Sequence, residues 1–466
     1  MKIVIVGVGK VGETLVRNFV REKHDVIIVD NDYEALNSVI NRYDVNGIVG
    51  TGLQRDVLID ADVPNSDFLI ACTPRDEMNI LCCVLAKKIG VSRTIARVRD
   101  PQYFKEMENM RADLGLDFAF NPELATAREI AHVLKFPSAK NVESFAGGRT
   151  RMAEFEIVGN NPLIGKSLQQ ISREYGNKIL IGVVLRGDKV IIPNGDFVLE
   201  SGDSIHIIAD EQEIVSFCKK LKIFKPRAKS AFIIGGGKIG YYLAKELLGA
   251  GVSVKIVERD EERAVELSGL LPSATILHGD GTDHEVLDEE NLKGNDACIA
   301  LTGMDEENVM ISLYAKQLKV DKIITKIDRP SILKLGNMLG LDTVVTPRNV
   351  IANQIVRFVR AYTATLGTDD DTPAEEVVTA DESADTLYKI GDKAEALEFS
   401  AGPTFKGLNI PLKELTLKKN LLIGGIVRGK EFILPSGDTC ILVGDRVIVV
   451  CEENRITKLS QILKKS

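Results

Sequence analysis

Long apolar runs are missing from this 466-residue chain. The longest, such as residues 420–427, reach about eight residues, against the roughly twenty that a membrane-spanning helix requires. No bilayer span is therefore expected. Basic clusters are missing too: no run of Lys or Arg exceeds a pair, as at Lys464-Lys465, and the formal net charge is -8. That removes the electrostatic footprint of a nucleic-acid binder. Metal-type spacing is also absent. There are seven cysteines but no Cys-x-x-Cys, and of five histidines only His278 and His284 lie near each other. Even with Asp280 and Asp283 beside them this is poor ligand geometry, and no metal is expected. Scattered cysteines, odd in number and mostly in apolar surroundings, read as small hydrophobes in a reducing compartment. The first six residues lead directly into a strand without the charged region, apolar core and cleavage site of a secretory signal, so a cytoplasmic location is expected. A hydrophobic content of 44% is ample for buried cores, and the length allows about three domains.

What is present is one construction used twice. Ile3 to Val6 is an apolar run without helical period, ending at Gly7-Val8-Gly9-Lys10-Val11-Gly12. Val11, Leu15, Phe19 and Val20 then follow at helical spacing. A second apolar run, Val26 to Val29, stops at Asp30. Each part has a task in dinucleotide binding: Gly7 permits the sharp turn, Gly9 lets backbone N–H groups approach a pyrophosphate, and Gly12 lets helix and strand pack closely. The phosphates sit at the positive end of the helix. Asp30 would accept from both ribose hydroxyls and repel a 2′-phosphate, which favours NAD or an adenine nucleotide over NADP. The second copy has Gly235, Gly237-Lys238-Ile239-Gly240 and Glu258.

Alternating strands and helices continue in both copies. Strands are expected at 47–49, 67–72 and 94–98, and helices at 33–40, 54–60, 73–89, 102–112 and 122–134. Thr73 is expected to cap the long helix, with Pro74 at its first position and acids in its first turn. This pattern gives a parallel, doubly wound α/β sheet. Gly279-Asp280-Gly281-Thr282 matches the turn Gly50-Thr51-Gly52, and Thr302 to Asn308 matches Thr73 to Asn79. In an open sheet these turns lie at the carboxyl ends of strands, beside an adenine. Thr51, Gly52, Thr73, Asp280, Gly281 and Thr302 are therefore candidates for nucleotide contact, whereas capping alone accounts for Asp76, Glu77, Asp305 and Glu306.

The repeat extends further. Arg186-Gly with Ser201-Gly-Asp203 recurs as Arg428-Gly with Val443-Gly-Asp445, each within strand-turn-strand signals. Each Rossmann-like unit is thus followed by a small α+β domain, and the expected boundaries are 1–135, 140–224, 228–360 and 386–466. The offset between copies is 228 at the glycine loops (235 against 7), 225 at Leu-Gly-Leu-Asp (339 against 114) and 244 at Glu-Phe (398 against 154). The insertion of about nineteen residues falls at the acidic stretch 365–385, which is expected to be a solvated loop, with a regulatory or ion-binding role as the alternative.

This order of parts resembles the TrkA family of Trk potassium uptake proteins, in which two nucleotide-binding RCK (regulator of potassium conductance) units lie in one chain. The resemblance covers essentially the whole sequence. It implies a cytoplasmic, non-enzymatic regulatory subunit, peripheral at the inner face of the membrane. Such a subunit assembles as a homodimer or larger ring and gates a membrane-spanning, TrkH-like potassium-translocating subunit in response to NAD, NADH, ATP or ADP. By position, Arg97 and Arg99 resemble the family's basic residues that reach terminal phosphates. The second copy has only Lys326, so the two sites should differ. The resemblance leaves open whether the small domains take a cyclic dinucleotide. Three rival readings stand beside it: an NAD-dependent oxidoreductase, a potassium/proton antiporter subunit and a stand-alone nucleotide sensor. The first lacks a clear acid or base, since the only histidine of the small domains, His206, sits in an apolar strand and reads as a satisfied core residue.

Overall fold

The computed structural model describes residues 1–365 except 177 and 188, together with 384–390, 394–452 and 456–464. The acidic stretch 365–385 falls almost wholly outside the described residues.

The first unit alternates β1 (Lys2–Val6), α1 (Lys10–Arg21), β2 (Asp25–Asp30), α2 (Tyr33–Tyr43), β3 (Asn46–Val49), α3 (Arg55–Asp60), β4 (Phe68–Ala71), α4 (Asp76–Ile89), β5 (Arg93–Arg97), α5 (Pro101–Met110), β6 (Phe118–Phe120) and α6 (Pro122–Lys135). Its sheet runs β3-β2-β1-β4-β5-β6, and all neighbours are parallel. Helices cover both faces, which is why β1 and β4 are continuous apolar runs with every residue from Ile3 to Val6 and from Phe68 to Ala71 buried. The sequence pattern supplies five of these six strands. β6, only three residues long, is too short to show a period, and its place is fixed by pairing of Phe118 with Ile95.

A small domain follows, with β7 (Val142–Phe145), β8 (Thr150–Glu156), α7 (Leu168–Tyr175), β9 (Leu180–Arg186), β10 (Lys189–Ile191), β11 (Ser204–Ala209) and α8 (Glu211–Lys220). Its antiparallel sheet is ordered β10-β9-β11-β8-β7. The second half repeats the large unit with β12 (Ser230–Ile234), α9 (Lys238–Gly249), β13 (Ser253–Glu258), α10 (Glu261–Leu270), β14 (Thr275–His278), α11 (His284–Glu289), β15 (Ala297–Ala300), α12 (Asp305–Gln317), β16 (Lys322–Lys326), α13 (Pro330–Met338), β17 (Thr343–Val345) and α14 (Pro347–Thr365). A second small sheet is built from β18 (Ala384–Ile390), β19 (Ala394–Ser400), β20 (Leu421–Arg428), β21 (Glu431–Ile433) and β22 (Arg446–Glu452), in the matching order β18-β19-β22-β20-β21.

The last helix of each large unit packs on the other half. Ala127, Ile130 and Leu134 of α6 join Ile233, Leu243 and Leu247 in one core of the second unit. Reciprocally, Ile351, Ile355 and Val359 of α14 enter the core of the first unit with Leu15 and Phe19. Phe358 stacks on Phe118 with ring centroids 4.7 Å apart, and Tyr362 meets Phe68 edge-on at 5.1 Å. The two small sheets also share a core, Met152, Val183 and Ile208 against Ala396, Ile448 and Val450. One chain therefore forms a pseudo-dimer with exchanged helices.

Two sequence expectations change here. The long helix α4 starts at Asp76 with Arg75 as its N-cap. Thr73 does not cap it and Pro74 precedes it, because the Thr73 hydroxyl instead donates to Asn79 Oδ1 at 2.7 Å. His206 is buried but not satisfied: its Nδ1 has no partner among the described residues, and its Nε2 is 4.0 Å from Glu154. Burial pushes the imidazole below its ordinary pKa, and only the Glu154 charge opposes this.

Candidate functional site

Two glycines of the first loop, Gly7 and Gly12, are dictated by what surrounds them. Gly7 has φ 98°, and a Cβ there would lie 2.9 Å from Thr73 N. A Cβ on Gly12 would lie 2.0 Å from Gly7 O, which is backbone and cannot yield. Gly9 is different, since no atom lies within 4 Å of where its Cβ would be. It is also the N-cap of α1 and gives the helix no side-chain cap. Gly237 repeats this at the start of α9, while Gly235 and Gly240 repeat the two packed positions. Open space over uncapped helix N–H groups is the form of a phosphate cradle, so the residues present fit a nucleotide.

The acids that end β2 and β13 hold these loops. Asp30 Oδ2 accepts from Val8 N–H at 2.7 Å and Oδ1 from Asp32 N–H at 2.9 Å. Glu258 does the same with Gly236 and Asp260, at 2.7 and 2.9 Å. A carboxylate has about four acceptor positions, so two remain for ribose hydroxyls.

Both loops open into one cleft of about 1010 Å³. Gly7, Val8, Gly9, Lys10, Val11, Asp30, Thr51, Gly52, Thr73, Arg97 and Arg99 line it from the first half, and Gly237, Lys238, Ile239, Gly240 and Lys326 from the second. Gly12 lies beneath the loop, buried. Gly235, Glu258, Asp280, Gly281 and Thr302 do not line this cleft. Gly52 and Gly281 have a packing role as well: an added Cβ would meet Cys82 Sγ at 2.7 Å and Ile234 Cγ2 at 2.3 Å, respectively. Asp280 accepts from the Thr282 N–H and hydroxyl, which hold its carboxyl below the usual range. The Cys72 thiol, also at the cleft, is pushed up to about 12 by burial and is inert at neutral pH.

The cations differ in their engagement. Arg99 Nε donates to Glu123 Oε1 at 2.6 Å, and Lys326 Nζ donates to Thr302 O at 2.8 Å. Lys10 Nζ reaches across the halves to Asp328 Oδ2 at 3.5 Å. Arg97 is half-buried, and its Nε has no partner among the described residues. Burial first, then the nearby Arg99 charge, pushes its guanidinium below the ordinary value.

Sequence reasoning missed the residue that shapes this corner. Asn79, fully buried, accepts from Thr73 N–H at 2.8 Å and donates to both Thr73 O and Arg97 O at 3.0 Å. Asn308 binds Thr302 and Lys326 in the same way. Asp76 accepts from the backbone N–H groups of Arg99 and Asp100, and Asp305 from those of Asp328 and Arg329. Recurrence of the Asp and Asn at the same places in both helices was the available signal, hidden because first-turn polar residues read as caps.

The chain matches the family model of the TrkA-N domain over residues 3–122 and 231–347 and that of the TrkA-C domain over 152–222 and 407–464. It is 33% identical to Trk system potassium uptake protein TrkA homolog 2 of Methanosarcina mazei, with 100% of both chains covered. To the TrkA homolog of Archaeoglobus fulgidus it is 34% identical, again over 100% of both. A solved structure described as a GsuK channel bound to NAD superposes with a TM-score of 0.61 at 18% identity, covering 97% of this chain and 77% of that one. With two TrkA-N units, two TrkA-C units and full-length likeness to its relatives, the chain belongs to the TrkA family of Trk system potassium uptake proteins.

Proposed function

We propose that this chain is the nucleotide-responsive regulatory subunit of a potassium uptake system, acting at the inner face of the membrane on a membrane-spanning potassium-translocating partner. The observation that carries the reading is the shared cleft, where two phosphate cradles face each other across the boundary between the halves. Ligand bound there bears on how the halves are held, and a ligand shifts such an equilibrium by its differential affinity for the two arrangements. NAD, NADH, ATP and ADP all suit the cradle and Asp30. Regulation rather than turnover is favoured because the cleft carboxylates of Asp30, Glu123 and Asp328 are each tied to the protein through at least one oxygen, although Glu123 Oε2 is buried without a partner among the described residues. Asp30 accepts backbone N–H groups, Glu123 pairs with Arg99 and Asp328 pairs with Lys10. No histidine lines the cleft among the described residues.

Calorimetric titration with the four nucleotides tests the binding, and potassium flux in vesicles containing the partner subunit tests the regulation. Asp30→Ala should weaken the first site by about 1–3 kcal/mol, the scale of hydrogen bonds to a charged group. Unchanged affinity would remove Asp30 from the site. Enzyme-dependent loss of NADH with a panel of carbonyl compounds would restore the oxidoreductase reading.

A further inference from the structure

We propose that Arg348, supplied by the second half, is a phosphate ligand of a nucleotide seated on the first glycine loop, acting together with Arg97. This rests on the nucleotide-binding reading above and assigns its specificity.

Arg348 lies at the start of α14, the helix exchanged onto the first unit, and it lines the cleft that holds Gly7, Gly9, Lys10 and Asp30. Its Nε is buried with no hydrogen-bond partner among the described residues, as is that of Arg97. No hydrogen bond or ion pair joins either guanidinium to another described side chain. Glu123 and Asp76 are near enough to act on the Arg97 charge, but neither Nε has an acceptor, and a half-buried guanidinium N–H that has lost water without gaining a hydrogen bond is costly. An anion in the cleft would satisfy both.

The repeat explains why Arg348 is available. In the first half, Arg99 after β5 pairs with Glu123 at the start of α6, 2.6 Å apart. At the matching places the second half carries Asp328 and Arg348, so the signs are exchanged. That pair does not form. Asp328 is instead opposite Lys10 at 3.5 Å, and its backbone N–H donates to Asp305. The other half's loop lysine has taken the carboxylate, which leaves Arg348 facing the cleft. Lys326 is tied to Thr302 O and Arg99 to Glu123. Among the half-buried cations lining the cleft, Arg97 and Arg348 are the two left to receive charge beyond the cradle, one from each half.

The uncapped helix start and Asp30 meet groups that ATP, ADP and NAD have in common, namely the α- and β-phosphates and a ribose. Contacts from Arg97 and Arg348 go to what differs, the additional terminal phosphate. A nucleoside triphosphate would thereby join the two halves through Arg348, and a diphosphate or NAD would do so less.

The test is calorimetry on the full chain with ATP, ADP and NAD, comparing wild type, Arg348→Gln and Arg348→Lys, with thermal unfolding recorded in the absence of nucleotide. Arg348→Gln should lower ATP affinity by about 10-fold or more, the effect of a lost hydrogen bond to a charged group. ADP and NAD should change by less than about threefold, and Arg348→Lys should recover part of the loss. Without nucleotide the Tm of Arg348→Gln should hold or rise, because a half-buried guanidinium without a hydrogen-bond acceptor at its Nε has gone. Equal loss for ATP and ADP, unchanged ATP affinity, or a fall in the nucleotide-free Tm that Arg348→Lys restores would each overturn the assignment. If the wild-type chain binds none of the three nucleotides, it is the nucleotide-binding reading that fails.

Discussion

Asn79 shows how much of this molecule depends on single buried polar side chains. Four hydrogen bonds connect it to Thr73 and Arg97, and none of its surface reaches solvent. Asn79→Ala would leave the Thr73 N–H and the Arg97 carbonyl buried without partners, at about 1–3 kcal/mol for each. We expect the first unit to lose about 3 kcal/mol in urea unfolding, and ATP affinity to fall as the Arg97 backbone relaxes. A loss below about 1 kcal/mol would mean that water replaces the amide. Arg186 and Arg428 make the same point in the small domains. Each forms a bidentate pair with a buried Asp, Asp203 or Asp445, at 2.8–2.9 Å. The Arg-Gly and Gly-Asp pieces that read as separate turn signals are two sides of one ion pair.

Among elements, α14 decides the most. Its apolar face fills the core of the first unit, and Arg360 ties it there. Arg360 donates to Glu22 at the end of α1 and to Glu395 of β19, with distances of 2.7–3.1 Å, and the three side chains are almost wholly covered. Burial alone would raise the Glu22 carboxyl, but the His24 ring 3.7 Å away and then hydrogen bonds from Arg360 hold it at about 2 against an ordinary 4.5. The folded pKa is depressed, so the stabilisation is fully present above the unfolded value. It is lost as pH falls from about 4.5 through about 2. That difference corresponds to about 3 kcal/mol. Acid titration followed by the near-ultraviolet signal should show loosening in this window. Arg360→Met leaves two carboxylates buried together and should cost about 3–5 kcal/mol at neutral pH. Because protonation relieves the repulsion, the deficit should shrink near pH 4. A deficit independent of pH would assign the effect to packing alone.

At the scale of the whole molecule, internal two-fold symmetry leaves matching surfaces outward. Leu81 on α4 and Met310 on α12 occupy equivalent places and are 49% and 62% exposed, and Met338 on α13 is 84% exposed. Exposed apolar side chains at related positions are what a symmetric assembly buries. We expect the wild-type chain to scatter light as a dimer or larger ring, and Leu81→Glu with Met310→Glu to reduce it to a 51.1 kDa monomer. An unchanged mass would place the assembly contact elsewhere.

The doubly wound units, both glycine loops, the acids at 30 and 258 and the tandem order were all legible in the residues. Each is written in a local period, a turn requirement or a fixed spacing, and such signals survive without knowledge of distant neighbours. Identity of partners is another matter. An amphipathic helix states that one face must be buried but not against what, so the exchange of α6 and α14 could be reached only through tertiary packing. From that exchange follow the single shared cleft, the capture of Asp328 by Lys10 and the exposure of Arg348 to the first loop. Arg97 and Arg99 looked equivalent along the chain, two residues apart at a strand end. The fold separated them by bringing Glu123 within hydrogen-bonding distance of Arg99 alone, since charge pairing depends on distance in space, which sequence spacing does not set across elements.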